Sequence, residues 1–209
     1  MSSIYDISRT VAPNLQVWPG DSAFSVTHVM RMSDGAAVNL TTLTLSAHTG
    51  THADAYYHFA DGAAHPAAMP LDAYIGPARV VTVAQRDGPL LPRHFPPGSL
   101  AGVERLLIHS HVSALADSTW PQMFPYLSVE LIELLAAGGA RLIGLDSPSV
   151  DDFASADLPC HQALLRHGIA NLESLALDGV PDGDYDLAAL PLKLDGACGS
   201  PVRAVLRSR

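Results

Sequence analysis

The stretch His48-Thr49-Gly50-Thr51-His52-Ala53-Asp54-Ala55-Tyr56-Tyr57-His58 puts three imidazoles and a carboxylate into eleven residues. Ordinary core packing does not call for that density, since each such group needs a partner when buried. Chain dimensions bound the local geometry. In a straight strand, residues four apart share a face but lie roughly 13 Å apart, whereas one helical turn brings them to about 6 Å. His48 and His52 could therefore share an ion on a helix. Gly50 between the β-branched Thr49 and Thr51 argues against a regular helix, and a helix would turn Asp54 away from both histidines. A chain that bends at Gly50 resolves the conflict. The donors then suit N, N and O ligation of a divalent ion, zinc first, by two neutral imidazoles and a carboxylate, with a proton carrier beside it. A polar loop of hydrogen-bonded histidines is the bland alternative, and four such groups at this spacing weigh against it.

The chain as a whole sets the frame for that site. Its 209 residues suit one domain, 1–209, with a sizeable core. A formal charge of −9, with Lys193 the only lysine, leaves no basic stripe for phosphates, so nucleic acid is excluded as a partner. Cys160 and Cys198 are the only cysteines and form no C-x-x-C, which excludes a disulfide framework and a thiolate zinc knot and fits a reducing, cytoplasmic setting. Cys160 beside His161 is read as a small packing residue, because neighbours on a chain usually point apart. No signal-like N-terminus is visible, and no stretch approaches the roughly 20 apolar residues of a spanning helix. A soluble, unexported protein without membrane contact is expected.

Along the chain, Phe24 to Met32 and Val38 to Ser46 alternate as two strands around the turn Ser33-Asp34-Gly35. Arg79 to Ala84 and Arg105 to His109 read as buried strands, and the Pro-rich Leu90 to Gly98 as a loop. A helix over Val129 to Ala137 has Ser128 as N-cap and Gly138-Gly139 as its stop. It feeds a strand, Arg141 to Leu145, that ends in the polar turn Asp146 to Asp151, either a functional turn or a simple terminator. A short helix over His161 to His167 stops at Gly168, and Leu187 to Leu206 reads as two further strands. The fold class is mixed α/β with strands predominating.

Several catalytic engines are missing. There is no G-x-S-x-G elbow, no H-E-x-x-H, no G-x-x-x-x-G-K-[ST] and no G-x-G-x-x-G. What remains, His48-x-Gly50-Thr51-His52-x-Asp54 followed by His58, resembles the H-x-G-T-H-x-D-x-P-x-H signature of the cyclase-like metal-dependent hydrolases. The early Trp18-Pro19-Gly20-Asp21, the segment Gly144 to Asp151, and His161 followed twelve residues later by Glu173 agree with it, so the resemblance spans nearly the whole chain.

The resemblance implies a swivelling β/β/α fold, usually dimeric. It implies that His48, His52 and Asp54 hold one metal ion and that Asp54, His161 and Glu173 hold a second, with Asp54 bridging. His58 becomes the proton donor and acceptor, and Trp18 a substrate contact. Two Zn2+ per subunit are typical of the formamidases in the family, with Mn2+ in relatives. The implied reaction is hydrolysis of N-formyl-L-kynurenine to formate and L-kynurenine in tryptophan breakdown, and ring opening of a substrate such as isatin is the alternative. Tyr56 stands where the signature has proline, so the fixed φ near about −65° is not built in. Either its phenol lines the pocket, with Tyr57, or the loop is looser. The remaining histidines, His28, His65, His94, His109, His111 and His167, are read as non-ligands. A structural zinc site is usually a closed four-ligand cage rich in Cys, and three ligands per ion without thiolate favour an enzyme over a scaffold.

Overall fold

Short apolar runs buried on both faces make the centre of the molecule, which is what parallel strands covered by other elements require. The computed structural model describes residues 2–209. Its strands are β1 (Ile4–Asp6), β2 (Ser25–Met30), β3 (Leu40–Thr44), β4 (His52–Asp54), β5 (Ile75–Thr82), β6 (Gly88–Leu90), β7 (Arg105–His109), β8 (Pro125–Leu127), β9 (Leu142–Leu145), β10 (Ala170–Glu173), β11 (Gly183–Ala188), β12 (Gly199–Pro201) and β13 (Val205–Ser208). The α-helices are α1 (Val129–Ala137) and α2 (Pro159–His167). Nine strands join one sheet in the order β1-β13-β11-β5-β7-β9-β10-β4-β12. Within it β5, β7, β9 and β10 run parallel, while β11 on one side and β4 on the other are antiparallel to their neighbours. This is the strand-rich α/β class expected.

Each face of the sheet carries a core. On one, Leu131, Ile132 and Leu135 of α1 and Ala163 and Leu164 of α2 cover Leu106, Ile108, Ile143 and Leu145. On the other, Leu107, Leu172, Val80, Leu187 and Leu206 pack with Tyr74 and Tyr185. Helix α1 begins where Ser128 Oγ accepts the Leu131 N–H, and it ends at Gly138, as the sequence predicts. Helix α2 begins two residues earlier than predicted, with Pro159 in its first turn, and Gly168 closes it in the left-handed region at φ 64°.

Several strand boundaries differ from the sequence reading. β5 starts at Ile75, through Gly76 and Pro77, because its pairing with β11 carries the strand past a residue that usually marks an end. Leu90 closes the three-residue strand β6, parallel to β8, and a 3₁₀ turn over Pro92–His94 follows, so the Pro-rich piece is only partly loop. The C-terminal region holds three strands, β11, β12 and β13, and the first begins at Gly183. The strands β1, β4, β8 and β10 are too short for periodicity to reveal. The predicted antiparallel pair is present as β2 and β3, a separate ribbon exposed along its whole length.

Candidate metal centre

The bend demanded by the sequence lies at Gly50, whose φ is 64° and where an added Cβ would stand 3.2 Å from Leu15 Cδ2. Beyond it the chain enters β4, so His52 and Asp54, two apart, share a face. The antiparallel neighbour β10 places Glu173 opposite His52. His161 arrives from the first turn of α2, and His48 from the loop before the bend. Sheet pairing thus gathers side chains that are far apart in sequence.

Asp54 is the hub. His48 Nδ1 lies 2.9 Å and His52 Nε2 3.4 Å from Asp54 Oδ1, and His161 Nε2 lies 3.4 Å from Oδ2. Glu173 reaches both neighbours, with Oε2 3.4 Å from His52 Nε2 and Oε1 3.7 Å from His161 Nε2. His58 stands at the rim, its ring centroid 4.2 Å from that of His48 and 6.0 Å from that of His161. Ligand atoms of His48, His52 and Asp54 fall within 4.8 Å of one another, as do those of Asp54, His58 and His161. His52 Nε2 and Asp54 Oδ1 are buried with no hydrogen-bond partner. His48 Nδ1 stands 2.9 Å from that oxygen without closing a hydrogen bond to it. Buried polar atoms left unpaired cost roughly 1–3 kcal/mol each, more for charged groups. A cation between them would satisfy all three, so these donors fit a divalent ion.

An outer ring of contacts orients the donors. His52 Nδ1 meets Gly50 O at 2.8 Å and His161 Nδ1 meets Asp151 Oδ2 at 2.7 Å, so each ring turns Nε2 inward. Asn171 donates to Asp54 Oδ2 at 2.7 Å, and the Val150 N–H donates to Glu173 Oε1 at 2.9 Å. Asp151 also accepts the N–H groups of Cys160 and His161. The turn after β9 therefore supports the site as well as ending the strand. Asp146, at its start, accepts from the backbone and hydroxyls of Ser110 and Ser113.

Electrostatics follow from this crowding. Burial opposes the cation of His52, but the Asp54 and Glu173 carboxylates outweigh it and raise its pKa to about 10. Burial likewise opposes the cation of His161, and Asp151 and Asp54 raise it to about 10. Asp54 is held well below the carboxylate range because His161, His48 and His52 overcome its burial. Burial pushes His58 down to about 4, with Asp54 opposing and the neighbouring His48, His161 and His52 adding to the shift.

The centre opens into a cavity of about 240 Å³ walled by Trp18 and Trp120. Trp120 meets Trp18 edge to face at 5.5 Å, and Phe153 tilts over Trp18 at 5.0 Å. Leu158 and Ser174, the two non-glycine residues with positive φ among the described residues, also line it. Of the two readings open for Tyr56, that of a pocket-lining phenol is corrected: its ring packs against the core and its buried hydroxyl has no partner, while Tyr57 tilts over His65 at 4.1 Å. The turn at Tyr56 closes without proline, through the His58 N–H to Ala55 O at 2.9 Å. Sequence reasoning missed Trp120, Phe153, Asn171 and the contact of Cys198 with His48. No motif marks them, and Asp151 alone was signalled by its place in the polar turn. Cys160 is buried, with its sulfur on Leu127 O and its thiol pushed up by burial, as a packing residue should be.

Comparison with known proteins bears on this geometry. The family model Cyclase, described as "Putative cyclase", matches residues 5–152. The kynurenine formamidase of Maricaulis maris is 42% identical over 207 residues, covering 99% of each chain. That of Salinibacter ruber is 44% identical over 206 residues, covering 98% of this chain and 97% of its own. Among solved structures, isatin hydrolase A of Labrenzia aggregata shares the fold with a TM-score of 0.80 at 24% identity, over 99% of this chain and 93% of its own.

Proposed function

The chain belongs to the cyclase family, and from that membership we propose that it hydrolyses N-formyl-L-kynurenine to formate and L-kynurenine. The observation that carries the proposal is Asp54, a buried carboxylate set among His48, His52 and His161 with one oxygen unpartnered. His48, His52 and Asp54 would hold one ion, and Asp54, His161 and Glu173 a second. Zinc suits these donors best and manganese is the substitute. Such ions lower the pKa of water to about 7 and polarise a carbonyl oxygen as Lewis acids.

The remaining work falls to side chains. His58, neutral at pH 7 and beside His48 at the mouth, takes the proton of the attacking water on an imidazole nitrogen and returns it to the departing aryl amine. Asp151, Asn171 and the Val150 amide hold His161, Asp54 and Glu173 in place. Trp18 and Trp120 enclose an aromatic ring. Asp21 stands in the cavity wall, and no Lys or Arg among the described residues does. Asp21 suits the α-ammonium of the substrate's amino-acid end, and ring opening of isatin is the alternative within the family.

The assembly we infer is a homodimer. The ribbon of β2 and β3 supports it, because two strands alone are marginally stable in water and Val29, Met32, Val38 and Leu43 are more than half exposed. One domain over 1–209 is supported by β1 and β13, from opposite ends of the chain, pairing in the same sheet. A cytoplasmic setting is supported by two free cysteines, and no helix among the described residues is long and apolar enough to cross a membrane. The test is metal analysis of purified protein paired with initial rates on N-formyl-L-kynurenine and isatin. Formate release with isatin a poor substrate is the expected result. A kcat/KM for isatin equal to or above that for the formamide overturns the proposal.

A further inference from the structure

The three imidazoles around Asp54 are not held alike. His52 and His161 fix Nδ1 on oxygen acceptors and turn Nε2 inward. His48 is reversed: its Nδ1 faces Asp54 Oδ1 at 2.9 Å, and its Nε2 faces outward, 3.1 Å from Cys198 Sγ. An imidazole that offers the Nδ1 lone pair carries its proton on Nε2, and that proton needs an acceptor. The sulfur is the atom in reach.

The backbone holds this corner in place. The Ala55 N–H donates to Cys198 O at 3.0 Å, and β12 pairs with β4 so that Gly199 lies opposite Asp54. The His48 ring rests on Gly199, where an added Cβ would stand 3.0 Å from its Cε1 and 3.3 Å from its Nδ1. Cys198 and Gly199 therefore form the outer contact and the floor of a side chain that comes from a loop. The strand-borne His52 needs no such cradle.

We propose that Cys198 is a positioning residue whose sulfur accepts the Nε2–H of His48 and so fixes the tautomer that aims Nδ1 at an ion beside Asp54. This rests on His48 being a ligand. Ligand atoms of His48, His58 and Cys198 also fall within 4.8 Å of one another, which makes direct sulfur ligation the competing arrangement.

The experiment uses the loaded protein. Zinc-loaded wild type, Cys198→Ala, Cys198→Ser and His48→Ala are titrated with a chelator of known affinity, and zinc-loaded wild type carrying ¹⁵N-histidine is read by NMR. The expected result is about 10- to 100-fold weaker retention of one ion in Cys198→Ala. Cys198→Ser, whose hydroxyl can accept the same hydrogen, stays within a few-fold of wild type, and His48 is protonated on Nε2. Wild-type retention by Cys198→Ala while His48→Ala loses an ion overturns the positioning role alone. Wild-type retention by His48→Ala overturns the ligand reading beneath it. A sulfur-to-metal charge-transfer band in cobalt-loaded wild type makes Cys198 a ligand and also overturns the proposal. The NMR result stands even if a variant fails to fold.

Discussion

Asparagine at Asp151 would keep the size of the side chain and remove one acceptor from beneath His161. The wild-type carboxylate makes three contacts: Oδ1 accepts the Cys160 N–H at 2.9 Å, and Oδ2 accepts the His161 N–H at 3.0 Å and its Nδ1–H at 2.7 Å. The amide of Asp151→Asn has one oxygen. If that oxygen serves His161, the NH₂ group confronts the Cys160 N–H, donor against donor. If it serves Cys160, the ring must turn Nδ1 into an acceptor, and Nε2 then carries the proton and has no lone pair for an ion. One charge-assisted bond lost and two weakened amount to about 2–4 kcal/mol of folding stability. Losing a partner of a ligating histidine lowers metal affinity by about 10- to 100-fold, or roughly 1.4–2.7 kcal/mol. Burial raises the Asp151 pKa, but His161 and the two N–H groups overcome it and leave the folded value depressed. Its stabilisation is therefore present above the unfolded carboxylate pKa and is lost as pH falls through the lower folded value, where wild type and variant converge. Denaturant titration and chelator competition measure the two effects separately. Unchanged metal affinity in Asp151→Asn would refute the orienting role.

Three further outcomes are expected. His58→Ala should lose about 10²- to 10⁴-fold in kcat while metal content by plasma emission stays at wild type; parallel loss of metal would instead make His58 a ligand. Asp54→Ala should lose both ions, and full metal content in that variant would exclude the bridging role. In metal-free protein burial opposes the cations of His52 and His161 but the carboxylates around them raise both pKa values to about 10, so this stabilising pairing is complete below the unfolded value near 6.5 and is lost as pH rises through the folded one. Metal loading at pH 7 should therefore release protons. Calorimetry in buffers of different ionisation enthalpy reads that release, and identical heats in all buffers would contradict it.

What could be read beforehand depended on whether a feature is local. Gly50 between threonines forces the bend by itself, and Ser128 with Gly138-Gly139 marks both ends of α1 by chemistry contained in that segment. The pairing of β4 with β10, which brings Glu173 opposite His52, is three residues long on one side and leaves no periodic trace. His161 and Glu173 were reachable only through the motif resemblance, since nothing local separates them from a helix-start imidazole and a surface carboxylate. Trp120 reaches Trp18 through the tertiary path of an irregular segment, and Asn171 lies with Glu173 in a fully buried four-residue strand that no local pattern marks. The sequence left Tyr56 open between pocket and loop because proximity to a site does not set a ring's direction, and the tight turn to His58 points it into the core.

The left-handed torsions of Leu158 and Ser174 carry an engineering consequence. Each costs on the order of 1–3 kcal/mol for a residue with a Cβ, and both lie in the cavity wall. Glycine at either position relaxes the torsion, so thermal tolerance has a reserve there that the well-filled interior does not offer. Drawing on it would strip shape from the chamber that receives the substrate. Melting curves set beside rates for the two glycine variants read that exchange: higher melting temperature with lower turnover is expected, and a variant that gains both would contradict it.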